Sequence, residues 1–233
     1  MIGAVFDMPA FPAGWDESSA QLIRIIDPLG EAIAWFAPEL GACCAGYAVR
    51  EVGSSSHSRA LWRDIIIRAT ANQAVTSGEN DDDAPDARWR FVDRDPASCT
   101  LDRTLVRGSR VAHWRMTAAL TDARLSLFLL VHNAGIEPIQ AGARLRVALS
   151  SPPRIAARLA DDASRACPDA TATEQNTGRQ IVLTVDADPG PGTVLTESAH
   201  EATTCTIADH RLKDSLPVIL PGEFRRLSVL IGS

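Results

Sequence analysis

Apolar residues in this chain recur at every second position or in short runs, and they are punctuated by Gly, Pro, Asp and Ser. That is the signature of half-buried β-strands, whose side chains alternate between two faces. The pattern predicts strands over 21–27, 32–37, 46–52, 60–69, 88–93, 98–106 and 111–120. It predicts further strands over 124–131, 141–150, 180–185, 193–197, 203–207 and 224–231. A dozen or so short strands between turn signals predict an all-β sandwich. Segment 154–162 reads as a short helix, and 163–178 as a polar loop.

Two turns carry a visible mechanism. Asp27-Pro28-Leu29-Gly30 has Pro at the second position and Gly at the fourth, as a type I turn prefers. Asn133-Ala134-Gly135 offers residues tolerant of positive φ. The stretch 76–87 is rich in Gly, Asn and Asp, with Glu79, Asp81, Asp82, Asp83 and Asp86 in one run, and is expected to be a mobile acidic surface loop. No internal repeat or shift in composition divides the chain, so residues 1–233 are read as a single domain.

Composition narrows the function. Hydrophobic residues make up 45% of the 233 positions, enough for a substantial core. The net charge of −6 disfavours nucleic acid and anionic membrane as partners, since both demand a basic surface. Cysteines at 43, 44, 99, 167 and 205 show no CxxC spacing, and they read as buried, reduced thiols of a cytoplasmic protein. The first residues lack a basic, then apolar, signal segment, and no apolar run reaches the ~18 residues of a membrane helix. There is no GxSxG elbow and no phosphate-binding Gly loop.

Three pieces of the chain resemble the galactose mutarotase-like (aldose 1-epimerase-like) superfamily. The first is 25–47, IIDPLGEAIAWFAPELGACCAGY, similar to an opening hairpin that leads to a Pro-x-x-Gly-Ala corner at Pro38, Gly41 and Ala42. The second runs through Val131, Asn133 and Pro138 to Gly142-Ala143-Arg144-Leu145-Arg146-Val147. It stands where the family has "v-x-N", "P" and "G-x-H-P-Y-F". The third is the closing Leu220-Pro221-Gly222-Glu223 turn. The resemblance implies a single-domain mutarotase-like β-supersandwich that binds a sugar or related cyclic metabolite without a cofactor.

The resemblance also implies an acid and a base for proton transfer. Its acid position falls on Arg144, which cannot release a proton near neutrality. Its base position is best matched by Glu197, and its "N-x-x-H-G" motif has no counterpart. His132 and His113 are candidates to replace the acid, because imidazole titrates near neutral pH. Arg144 and Arg146 alternate with Leu145 and Val147, so one sheet face carries two guanidiniums suited to an anionic ligand. The plain alternative is a solvent-facing strip over a core-facing one. Trp114 and Trp62, with Trp35 and Trp89, are candidate platforms for a sugar ring, although a buried Trp in a sandwich is the commoner fate. His200 and His210, with Asp209, fit no metal spacing, and no metal is expected. Three readings follow: an epimerase or isomerase, a non-catalytic carbohydrate-binding or regulatory module, and a biosynthetic isomerase redirected to a non-sugar substrate.

Overall fold

The structure is a computed structural model, and it describes residues 11, 21–51, 61–71, 74–75, 89–149, 153–155, 169–174, 180–188, 193–199, 202–209 and 216–232. The strands in chain order are β1 (Ile23–Ile26), β2 (Ala32–Ala37), β3 (Cys43–Glu51), β4 (Leu61–Ala71), β5 (Ala74–Val75) and β6 (Arg90–Asp95). Next come β7 (Ser98–Arg107), β8 (Arg110–Thr121), β9 (Arg124–Asn133), β10 (Ile139–Gly142), β11 (Arg144–Leu149) and β12 (Pro153–Ile155). The last are β13 (Asp169–Glu174), β14 (Gln180–Asp188), β15 (Thr193–Ala199), β16 (Ala202–Ala208), β17 (Val218–Ile219) and β18 (Phe224–Gly232). One 3-10 turn, Pro38–Leu40, links β2 to β3. The fold is all-β.

These strands form a seven-stranded sheet, β1-β2-β3-β4-β11-β16-β15, and an eight-stranded sheet, β12-β13-β14-β18-β9-β8-β7-β6. A small sheet, β17-β10-β5, completes the set. The pairings are antiparallel. Alternation puts Phe36, Tyr47, Leu145, Val147 and Ile207 of the first large sheet into one buried cluster with Trp114, Met116, Leu129, Val131 and Val229 of the second. The two large sheets therefore pack face to face. A smaller cluster, Ile33, Trp35, Ala45 and Ala48, lies on the opposite side of β2 and β3.

The sequence motifs behave as local chemistry dictates. Gly30 donates its N–H to the Asp27 carbonyl at 2.8 Å and the Asp27 carboxylate accepts from Leu29 at 3.0 Å, which closes the expected turn. Gly41 and Ala42 turn the Pro38 corner with φ of 75° and 54°. At the Pro221-Gly222 turn Gly222 takes φ of 80°, as a type II turn requires.

Several expectations need correction. No residue of Asn133-Ala134-Gly135 has positive φ. Gly135 is needed there for space, because a Cβ would sit 2.5 Å from the Ser109 carbonyl oxygen. The predicted strand over 141–150 is two strands, since β10 pairs with β17 and β5, whereas β11 joins the seven-stranded sheet. Arg154 and Ile155, read as helical, belong to β12, and the polar loop contains β13. Both are strands because pairing with a neighbour overrides weak local preference. The remainder of the predicted helix and the 76–87 loop lie outside the described residues.

The β8–β9 hairpin turn uses Asp122 and Ala123 with φ of 50° and 54°. A type I′ turn prefers Asn-Gly here, since the left-handed region costs an L-residue ~1–2 kcal/mol. The Ala123 carbonyl accepts the Tyr47 hydroxyl, and its N–H donates to the Asp27 carboxylate at 3.4 Å, so tertiary contacts hold the turn. Ala123→Gly keeps both backbone contacts and is expected to stabilise the fold by about 1 kcal/mol in urea unfolding. A loss of stability would contradict that account.

Candidate functional site

The two arginines singled out in the sequence lie on β11. Arg144 is half-buried and Arg146 is exposed, while Leu145 and Val147 are in the core. Both arginines are therefore on the outward side of the seven-stranded sheet. Arg144 pairs with Ala208, and Arg146 with Thr206 and Thr70. Glu197 pairs with Thr204, which pairs with Ala148. By alternation the register position of Glu197 falls on the same side as Arg144 and Arg146, two strands or about 10 Å across the sheet. The side chains of Glu197 and Trp62 are outside the described residues, as are His57, His200 and His210.

His113 and His132 are cross-strand partners on β8 and β9. They alternate with buried Trp114 and Val131, so they face outward from the eight-stranded sheet. Thr104 Oγ1 lies 3.0 Å from His113 Nδ1, and Asp102 Oδ2 lies 3.6 Å from its Nε2. Arg115 also holds Asp102, at 3.3 Å. The histidines and the two arginines thus occupy opposite outer surfaces. Packed sheets are ≈10 Å apart, and the core between these excludes a small substrate touching both sets. Trp114 is fully buried inside the sandwich and presents no face to a ligand; Trp35 is buried in the smaller cluster.

Two features escaped the sequence reading. Arg225 and Asp209 form an ion pair in which Arg225 Nε donates to Asp209 Oδ2 at 2.6 Å. The Asp209 side chain is wholly buried, and Arg225 is 14% exposed. Asp209 directly follows Ala208, the partner of Arg144, and donates its backbone N–H to the Ala143 carbonyl at 3.0 Å. This pair adjoins the acid-like position, but a fully buried carboxylate already held by a guanidinium is a structural pin. No local signal links positions 209 and 225, because their meeting depends on how the sheets stack.

The second feature is a cleft of about 520 Å³ between the β7–β8 turn and the segment leading into β10. Leu105, Ala112 and Ile139 form an apolar floor, and Arg107, Arg110 and Glu137 stand at its edge. Arg110 Nε donates to Glu137 Oε2 at 3.2 Å. Ser109 and Arg110 hold the Glu137 carboxyl below the usual carboxylate range. It is thus a hydrogen-bond acceptor at neutral pH and a weak base. The Arg-Gly-Ser-Arg turn at 107–110 was the available signal, with a guanidinium on each side of Gly108.

Cys43, Cys44 and Cys99 are buried thiols, none of them in a disulfide. Burial pushes the Cys99 thiol up to about 12, and burial together with neighbouring Cys43 raises that of Cys44. The thiolate is the reactive form, so Cys44 and Cys99 should resist alkylation in the folded protein at pH 8 and react once unfolded. Mass-spectrometric mapping of iodoacetamide adducts checks this, and native labelling at Cys99 would refute it. Among the described residues no helix is long and apolar enough to cross a membrane.

No protein-family profile and no curated protein sequence matches this chain. Solved structures do. A putative aldose 1-epimerase from Escherichia coli K12 superposes with a TM-score of 0.59 at 13% identity, covering 91% of this chain and 99% of that one. A galactose mutarotase-like protein from Lactobacillus casei gives 0.61 at 11% identity, with the same coverage of 91% and 99%. A galactose mutarotase related enzyme from Lactobacillus acidophilus gives 0.52 at 10% identity, covering 91% and 98%. These likenesses span most of the chain at low identity, so what they share with it is architecture: this chain has the galactose mutarotase-like, aldose 1-epimerase-like β-sandwich fold.

Proposed function

We propose that this chain is a binding protein for a small, anionic, sugar-like metabolite, without the ring-opening chemistry of an aldose 1-epimerase. The observation that carries this reading is Arg144 at the acid position, beside Arg146 on the same outward sheet side. A guanidinium stays protonated at neutral pH, so it binds a carboxylate or phosphate bidentately but cannot shuttle a proton. Isomerisation needs an acid and a base within reach of one substrate. His113 and His132 lie across the core from Arg144, which argues against their serving as that acid for Glu197. A cytoplasmic setting is consistent with cysteines at 43, 44 and 99 that stand outside any disulfide.

The test is thermal stabilisation by glucuronate, glucose 6-phosphate and galactose, paired with polarimetry of freshly dissolved glucose and galactose. Uronate or sugar phosphate should raise the melting temperature in proportion to its concentration over its dissociation constant, and galactose should not. Arg144→Ala should abolish the shift, and the optical rotation should decay at the uncatalysed rate. Accelerated mutarotation that is lost in Glu197→Gln would instead establish the isomerase reading. An anion-induced shift that survives Arg144→Ala would remove the guanidinium site.

A further inference from the structure

The cleft between the β7–β8 turn and β10 opens onto the hydrophobic core. Leu105, Ala112 and Ile139 of its floor all belong to the buried cluster that joins the two large sheets. None of the three is sealed, for they keep 7%, 5% and 6% of their surface open. Ile136 stands 82% exposed beside this opening, on the loop that leads into its Glu137–Pro138 wall. An apolar floor with a large apolar side chain left in water at its mouth is stabilised when a hydrocarbon covers it.

The walls are fixed in advance. Ala134 N–H donates to the Val111 carbonyl at 2.9 Å and Ile136 N–H to the Ser109 carbonyl at 3.1 Å, which ties the loop to the hairpin turn. Gly135 packs so closely on that turn that a Cβ would lie 2.5 Å from the Ser109 oxygen. On the far side, Ala141 N–H donates to the Pro217 carbonyl at 3.1 Å. The opening of about 520 Å³ is therefore preformed, as small-molecule sites usually are.

The rim sets the charge of the visitor. Arg107, Arg110 and Glu137 supply two guanidiniums and one carboxylate, so the rim is net positive. Arg110 Nε already holds the Glu137 carboxylate at 3.2 Å. A cation is repelled by such a rim. A sugar ring finds no aromatic platform, because the described lining holds no aromatic side chain. A hydrocarbon chain with an anionic head meets both the floor and the rim.

We propose that this cleft binds a short aliphatic monocarboxylate, with its chain along Leu105, Ala112 and Ile139 and its carboxylate against the guanidiniums of Arg107 and Arg110. Guanidinium–carboxylate hydrogen bonds are charge-assisted and directional, and the chain adds apolar burial. Arg144 does not line this cleft, so the site is independent of the outward side of the seven-stranded sheet.

Isothermal titration calorimetry of the full chain with hexanoate, 1-hexanol and acetate tests the site. Hexanoate should bind saturably at one site per chain. Hexanol keeps the chain without the charge and should bind at least about tenfold more weakly. Acetate keeps the charge without the chain and should give no binding at about 20 mM. Arg107→Gln should weaken hexanoate about tenfold. Glu137→Gln should tighten it up to about threefold, because it takes the carboxylate out of the rim. Ala112→Leu places an isobutyl group in the floor and should abolish binding. The arginine and glutamate variants are exposed changes that keep the test valid even where the floor variant fails to fold. Arg144→Ala should bind hexanoate as the parent does. No saturable hexanoate binding at about 20 mM would overturn the site, as would its loss in Arg144→Ala. Acetate or hexanol matching hexanoate would overturn the ligand class.

Discussion

Arg225→Met is expected to destabilise the protein by about 3–5 kcal/mol, because it removes the guanidinium that holds a buried carboxylate. Arg225 shares a register row with Val131 and Trp114, so its Cα belongs to the core side of the eight-stranded sheet. Its Nε reaches Asp209 Oδ2 at 2.6 Å, and a terminal nitrogen reaches the Asp209 carbonyl at 2.8 Å. Asp209 follows the last residue of β16, in the other large sheet. The pair therefore bolts one sheet to the other. Asp209→Leu should cost a similar amount, since it leaves the guanidinium without this carboxylate. Arg225→Met combined with Asp209→Leu should recover most of the loss, because no charge then remains to be solvated. Urea unfolding of the three variants gives the coupling directly. Single variants that lose less than about 1 kcal/mol, with strictly additive effects, would show that the pair holds nothing together.

The second large effect is expected at Asn133→Ala, with a loss of about 3 kcal/mol or more. Asn133 is fully buried. Its side-chain amide donates to the Glu137 carbonyl at 2.8 Å and to the Ile219 carbonyl at 2.9 Å, and its oxygen accepts from Gly135 N–H at 3.0 Å. Its backbone pairs with the Pro221-Gly222 turn, through the Glu223 carbonyl and the Gly222 N–H. One side chain thus fastens the end of β9, the loop toward β10 and the strand β17. Alanine leaves these carbonyls and the amide without their partner, and each buried loss costs ~1–3 kcal/mol. Asn133→Asp should be no better at neutral pH, since a carboxylate has no hydrogen to donate. Unfolding midpoints within about 1 kcal/mol of the parent would refute this role.

These two residues show where sequence reading succeeds and where it stops. Over 98–133 the alternation is largely regular, and strands such as Ala32–Ala37 and Ser98–Arg107 are legible within a residue or two. Asn133 is legible as a special position, but for a different reason. Its type suggested backbone freedom, whereas its side chain serves segments that end 86 residues away. β13, Asp169–Glu174, is made of small and polar residues and carries almost no intrinsic strand signal. The sidedness of Arg144 and Arg146 follows from alternation alone. That His113 and His132 would pair with each other and lie on the opposite outer surface does not, because register and sheet stacking are set by contacts between distant segments. The Arg225–Asp209 bond is invisible for the same reason.

The position of β18 bears on how the molecule assembles. It runs between β14 and β9, and without it the eight-stranded sheet falls into two separate ribbons. Ile231 must find Leu125 across an intervening stretch that builds β11, β15 and β16 of the other large sheet. Ring closure over so long a span is entropically slow, and folding rates fall as contacts become less local. Until that late strand docks, the flanks of β9 and β14 stay open to pairing with other chains, so the interval before docking is when this protein is most exposed to aggregation.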